Sequence, residues 1–258
     1  MKRLTFVLCA VLLLAVAPAP LAPPAMAAAP VRAMREPSLP DPRTAPSPQR
    51  LQALIARVKL EQQHLHTLQA RFVQHRESSL LVSPEESNGE FSYAAPDRVR
   101  WEYLKPNPIS VVIDHGEMIT WYRDLGRAER VKIGRYSNQI FKYLGASGSM
   151  QTLLDYFNVA LHVPDDRAEP YRLDLVPRYS RIAKHLKSMN LWIDPLRYFP
   201  TRLRYVEGDG DVTEYEFKDV KVNPPIPGDR FVLKLPDGVE TRVIDLDPKT
   251  RSKANPGR

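Results

Sequence analysis

The chain has 258 residues, of which 43% are hydrophobic and 26% charged, with 37 basic against 30 acidic side chains, 25 prolines and one cysteine. That composition excludes collagen, a coiled coil and a disulfide-stapled miniprotein, and it suits one globular unit.

The chain opens with Lys2 and Arg3, then an apolar run from Leu4 to Ala17, then small residues ending in Ala25-Met26-Ala27. The run is shorter than the roughly 20 apolar residues a membrane span needs, so residues 1–27 read as a cleaved secretory signal. Cys9 lies inside this segment behind Leu8, where a lipid-modified cysteine would need a small residue, so the mature chain is expected to carry no thiol. Loss of Lys2 and Arg3 leaves 35 basic against 30 acidic residues. A mildly cationic, cysteine-free exported chain suits the periplasm.

Ten prolines fall between Pro18 and Pro48, which marks residues 28–47 as an extended, disordered leader. Residues 248–258 read as a frayed tail, leaving a domain over 48–247.

Ser47-Pro48 predicts a helix start, and Leu51, Leu54, Ile55, Val58, Leu65, Leu68 and Phe72 continue at three-or-four spacing. From Asn88 the period becomes two. Phe91, Tyr93, Val99, Trp101 and Tyr103 point one way, and Arg98, Arg100 and Glu102 the other. Further strands are predicted around 109–113, 117–122 and 130–133, too closely spaced for crossover helices. A helical pattern over Tyr136 to Phe157 breaks at Gly145 to Gly148, after which Ser149 caps a second helix. Strands resume at 171–176, 184–193, 201–206, 212–217, 231–235 and 239–246, with a hairpin turn at Glu207 to Asp211. The expected class is α+β: a large curved antiparallel sheet of about ten or eleven strands, carrying two or three helices on one face.

Six histidines invite a metal or catalytic reading. His64 and His66 would lie about 200° apart on a helix, and His115, His162 and His185 have no neighbour at ligand spacing, so no metal is expected. Gly145 to Ser149 is not a nucleophile elbow, the Asp165-Asp166 and Asp209/Asp211 pairs sit in turns, and no phosphate loop or dinucleotide fingerprint occurs. Neither an enzymatic activity nor a cofactor is expected. The basic run Arg123, Arg127, Arg130, Lys132 and Arg135 reads either as a solvated face or as a docking surface for an acidic partner, and export disfavours nucleic acid.

Aromatic and aliphatic weight on the strands is the main signal. It is either the core of a closed sandwich or the lining of a partly unfilled concavity suited to acyl chains. In the second case the lining would comprise Phe91, Tyr93, Val99, Trp101, Tyr103, Ile119 and Trp121 from the first strands. Leu203, Tyr205, Tyr215 and Phe217 would follow from the later ones, with Met150, Leu153, Leu154 and Phe157 on a lid helix.

Pro96-Asp97-Arg98-Val99-Arg100-Trp101, Pro106, Asp114-x-Gly116 and Trp121-Tyr122 stand in an order that resembles the periplasmic outer-membrane lipoprotein carrier (LolA) family. Trp192 to Pro195, Pro200 to Leu203, the Gly208 to Gly210 turn, Tyr215 to Phe217, Asn223, Phe231 and Leu235 to Val239 agree, so the resemblance covers residues 49–240. It implies an unclosed β-barrel capped by helices, with Val99 and Trp101 beside a hydrophobic cavity. The implied function is a non-enzymatic, monomeric shuttle that carries lipoprotein acyl chains, or other lipids, from an inner-membrane transporter to an outer-membrane receptor. Ala95 stands where the family commonly has an arginine that holds the lid shut. Relatives of this fold also serve as envelope-stress sensors, which is the alternative reading.

Overall fold

The computed structural model describes residues 39–133 and 150–245. The expected helical stretch at 136–149, the signal segment and the tail lie outside them.

Helix α1 (Arg50–Gln63) follows a 3-10 turn at Ser47–Gln49 and buries Ala53, Leu54, Ile55 and Val58. It ends nine residues earlier than its sequence spacing predicts, and Thr67–Glu77 is instead strand β1, burying Leu68, Ala70, Phe72 and Gln74 at period two. The turn between them is held from far along the chain. The Asn223 Oδ1 accepts from the backbone of His66 (2.8 Å) and Thr67 (3.2 Å), while its Nδ2 donates to the His64 carbonyl (2.9 Å). Backbone groups at the helix end are thereby satisfied by a side chain no local pattern reveals.

Strands β2 (Glu85–Ala94), β3 (Arg98–Lys105), β4 (Ile109–Asp114), β5 (Glu117–Tyr122) and β6 (Arg127–Lys132) follow as a meander. Helix α2 (Met150–Tyr156) leads directly into β7 (Phe157–His162), so Phe157 starts a strand instead of ending a helix. Next come β8 (Tyr171–Pro177), the single-turn α3 (Ser180–Ala183), β9 (Leu186–Ile193), β10 (Pro200–Glu207), β11 (Val212–Val222) and β12 (Glu240–Asp245). They form one twelve-stranded sheet in the order β12-β6-β5-β4-β3-β2-β1-β11-β10-β9-β8-β7. The ends β12 and β7 do not pair with each other, so the barrel stays open.

Among the described residues all strand pairings are antiparallel except β12 with β6. Its cause is the segment between β11 and β12. Residues expected as a strand at 231–235 form a 3-10 turn, Gly228–Phe231, and an extended run that straps across the convex face of β3 and β4. A chain that returns over the sheet arrives at the far edge running the same way as β6. The strap is fastened by Phe231, 2% exposed beneath the Arg98 guanidinium at 5.1 Å, and by Arg100, which donates to the Arg230 carbonyl at 3.1 Å. Arg230 in turn donates to Glu90 at 2.8 Å.

The folded part also begins earlier than expected. Residues 39–46 of the proline-rich leader are docked, with Pro42 and Ala45 buried. Arg43 donates to the carbonyls of Pro164 (2.6 Å) and Glu169 (3.0 Å) and lies over the Tyr171 ring, and Arg57 of α1 donates to the Leu39 carbonyl (2.6 Å).

At the centre of the sheet Gly89 stands opposite Phe72 and Tyr103. A Cβ there would lie 1.9 Å from the Glu102 carbonyl oxygen and 2.7 Å from Phe72 Cζ. Gly89→Ala is therefore expected to lower stability by about 3 kcal/mol or to abolish folding, because both neighbours are themselves fixed in the core. Denaturant titration checks this, with Gly126→Ala as the milder comparison, since an added Cβ there would meet no atom within 4 Å and only the left-handed backbone (φ 56°) opposes it, at about 1 kcal/mol.

Candidate functional site

Strand alternation and register collect the aromatic residues on the concave face. Phe91 pairs with Trp101, Tyr93 with Val99, and Phe72 with Phe217. The resulting cluster is continuous. Trp101 lies 4.9 Å from both Phe72 and Phe91 and 5.5 Å from Tyr215, with Tyr103 at 5.1 Å from Phe72. Most of these pairs are tilted or edge-to-face, the arrangements aromatic quadrupoles favour. The far wing continues the apolar surface through Tyr171, Leu173, Leu191, Leu203 and Tyr205. Leu54, Ile55 and Val58 of α1 join the same buried cluster, as do Leu153 of α2 and Phe157, while Leu154 is half-buried against it.

The two hydroxyl groups at the centre satisfy each other, Tyr103 Oη to Tyr215 Oη at 3.0 Å. Burial pushes the Tyr103 phenol up to about 12 despite that bond, and burial with the nearby Asp97 carboxylate raises Tyr93 further. Both phenols are neutral at any physiological pH, so the interior presents no charge here. A recess of about 470 Å³ opens beside the cluster, bounded by Phe199, Pro200, Phe217 and Val220 and rimmed by Asp194, Arg197, Asp219 and Lys221. Its size falls in the range of small-molecule sites.

Nine of the expected lining residues, Phe91, Tyr93, Val99, Trp101, Tyr103, Leu203, Tyr205, Tyr215 and Phe217, share this face and are buried. Ile119 and Trp121 do not. In β5 the concave positions are Met118, Thr120 and Tyr122, while Trp121 pairs with Ser110 on the convex side under the Arg123 guanidinium at 4.8 Å. The alternation had no polar face to decide between, since β5 reads Met-Ile-Thr-Trp-Tyr. Phe72, read from sequence as helical, was missed as a central member. The side chain of Met150 lies outside the described residues. Ala95 packs on the core edge, so no lid-holding arginine stands at that place.

The basic run does not form one surface. Arg123 donates to Glu102 (3.1 Å), Arg130 to Glu117 (2.8 Å), and Arg127 lies over the Tyr122 ring on the concave side. Lys132 is exposed at the strand end, and Arg135 lies outside the described residues. His75 sits on β1 beside Glu86, His115 beside Asp114 and His162 beside Asp174, each with its own carboxylate. No group of three metal-ligating side chains occurs among the described residues. Nor is any helix there long and apolar enough to cross a membrane.

An open, helix-backed sheet whose concave face is mainly aromatic and aliphatic defines the half-barrel class of folds. The profile of the family "Outer membrane lipoprotein carrier protein LolA" matches residues 63–234, and the chain belongs to that family. An outer-membrane lipoprotein carrier protein of Alkalilimnicola ehrlichii is 27% identical over 180 residues, covering 67% of this chain and 76% of the relative. One from Halorhodospira halophila is 27% identical over 173 residues (65% and 74%), and one from Coxiella burnetii 26% over 182 (69% and 81%). Among solved structures, an uncharacterized conserved protein from Thermus thermophilus shares the fold at a TM-score of 0.50 and 14% identity, over 75% of this chain and 99% of that one.

The buried phenols give a test. The unfolded chain releases tyrosine protons near pH 10, whereas the folded chain holds that of Tyr103 to about 12, so stability is present below pH 10 and falls as pH rises above it. Alkaline absorbance titration is expected to show late-titrating phenols, and Tyr103→Phe to remove one of them while costing about 1 kcal/mol at neutral pH.

Proposed function

We propose that the chain is a periplasmic carrier that holds the acyl chains of lipoproteins in the concave aromatic interior. It would receive them from an inner-membrane transporter and pass them to an outer-membrane receptor without covalent chemistry. The observation that supports this most directly is the open sheet whose concave face is aromatic and aliphatic around Phe72, Trp101 and Tyr215, with α1 and α2 as its cover. Family membership and the names of the relatives support it independently. The leading 27 residues supply the export signal.

The interior rings are nearly solvent-free, so loading must displace part of the cover. α2, only seven residues long and adjoining α1 and β7, is the lid element. Each acyl methylene withdrawn from water contributes about 0.8 kcal/mol, so even one long chain offsets the parting of a short helix from the sheet. Release then needs a receptor that offers the chains an equal or better apolar site.

Delipidated protein is expected to bind a fluorescent long-chain fatty acid. Phe217→Ala, beside the recess, and Leu154→Glu, on the lid, should each weaken binding about tenfold or more. Lys218→Glu, on an exposed outward position of β11, should leave it unchanged. Trp101→Glu should abolish binding, but its central burial makes folding part of the readout. Absence of acyl binding, or equal loss in Lys218→Glu, overturns the reading.

A further inference from the structure

Beyond the interior, the sheet carries an apolar tip that the carrier reading leaves unused. The β1–β2 hairpin ends in Ser78-Ser79-Leu80-Leu81-Val82-Ser83-Pro84, where Leu80 is 80% exposed, Val82 fully so, and Leu81 half-buried. Three consecutive large apolar residues on a hairpin end differ from singly scattered ones such as Leu196, which need no explanation. The tip is held in place: the Leu80 amide donates to Ser78 Oγ at 3.2 Å and the Leu81 amide to the Ser78 carbonyl at 3.0 Å.

Its surroundings are acidic in a chain that is basic overall. Glu77, Glu85 and Glu86 flank the tip on its own strands. The register of β1 against β11 brings Asp211 and the β10–β11 turn, with Glu207 and Asp209, to the same end. Arg76 there is committed to Asp211 at 3.3 Å and His75 lies 3.5 Å from Glu86. Lys105, on the neighbouring β3, and Lys187, close to Gly210 of the turn, add positive charge without matching the acidic groups in number. A negative collar repels an anionic bilayer surface, so burial of the leucines in lipid is opposed by the charge beside them.

We propose that this tip is a docking element for a membrane-bound protein whose surface offers an apolar pocket ringed by lysine or arginine. Leu80 and Val82 fill the pocket, and Glu77, Glu85 and Glu86 meet its rim. Two anchors and a charged collar make a small interface, which gives fast, steered and short-lived contact. The proposal rests on the carrier reading for the partner's place on a membrane and for why the contact should be brief; the partner's surface chemistry follows from the tip itself.

The test uses the mature chain with three kinds of vesicle: sealed envelope vesicles from the native host, the same vesicles shaved with trypsin, and protein-free vesicles of phosphatidylethanolamine and phosphatidylglycerol. Cosedimentation with the first is expected, falling tenfold or more in Leu80→Asp/Val82→Asp, several-fold in Glu85→Lys/Glu86→Lys, and further as salt is raised. Shaved and protein-free vesicles should bind little. Equal binding to protein-free vesicles would show lipid insertion and overturn the proposal, as would indifference to the tip variants or no binding at all. Thermal midpoints and fatty-acid binding of the variants should match the parent, because the tip is outside the core; where the aspartates lower the midpoint, Leu80→Ser/Val82→Ser replaces them. Docking without fatty-acid binding by the parent would sink the carrier reading and leave this one standing.

Discussion

The arrangement depends on one contact, the Phe72 ring lying across Gly89. β1 is the middle of the sheet, paired with β2 on one side and β11 on the other. Only a residue without a side chain lets Phe72 lean over β2 to reach Trp101 and Tyr103 at about 5 Å. That lean joins the two halves of the concave face into one cluster, and Tyr215 and Phe217 close it from β11. Glycine weakens a strand locally, yet here the lost β-propensity is outweighed by the aromatic area its absence of Cβ admits.

The convex side has the opposite chemistry and a different task. Glu102 is 5% exposed, accepts from Ser110 at 2.7 Å and from Arg123 at 3.1 Å, and forms an ion pair with Arg100. A buried carboxylate left unpaired would cost several kcal/mol, so its partners are fixed by it. Arg100, once fixed, offers its remaining donor to the Arg230 carbonyl, and so positions the strap that delivers β12 to its edge. The alternation that turns Trp101 inward therefore also turns outward the charges that set the topology of the far edge.

This division explains what the sequence revealed and what it hid. The class, the long curved sheet and most of the concave set from Phe91 to Phe217 follow from period-two patterns with a polar face to orient them, whereas those patterns suit a closed sandwich as well as an open sheet, and openness is implied only by the family resemblance. Residues 65–72 satisfied both a helical and a strand spacing, and the choice is made by Asn223, more than 150 residues on, and by pairing with β2 and β11. β5 is apolar on both faces, since one lines the concavity and the other lies on the convex side beside the paired Arg123, so no local rule could place Ile119 and Trp121. The strap and the parallel β12 are tertiary features with no periodic signature.

The filled interior bears on how such a fold could handle an acyl chain. A cavity that stood open and empty would expose aromatic surface between loads, whereas this concave face closes on its own rings. Cargo would then have to replace contacts that already exist, and the net gain would be the difference between acyl burial and ring burial, far smaller than the gross transfer free energy. A modest net affinity suits transfer, because a receptor need improve on that difference only slightly to draw the chain out. The recess beside Phe217 would be where this exchange meets least resistance, since space is already open there. On the proposed carrier reading, a chain entering there would meet Phe217 and Phe199, which line the recess, before it reached the tightly paired Trp101, Tyr103 and Tyr215.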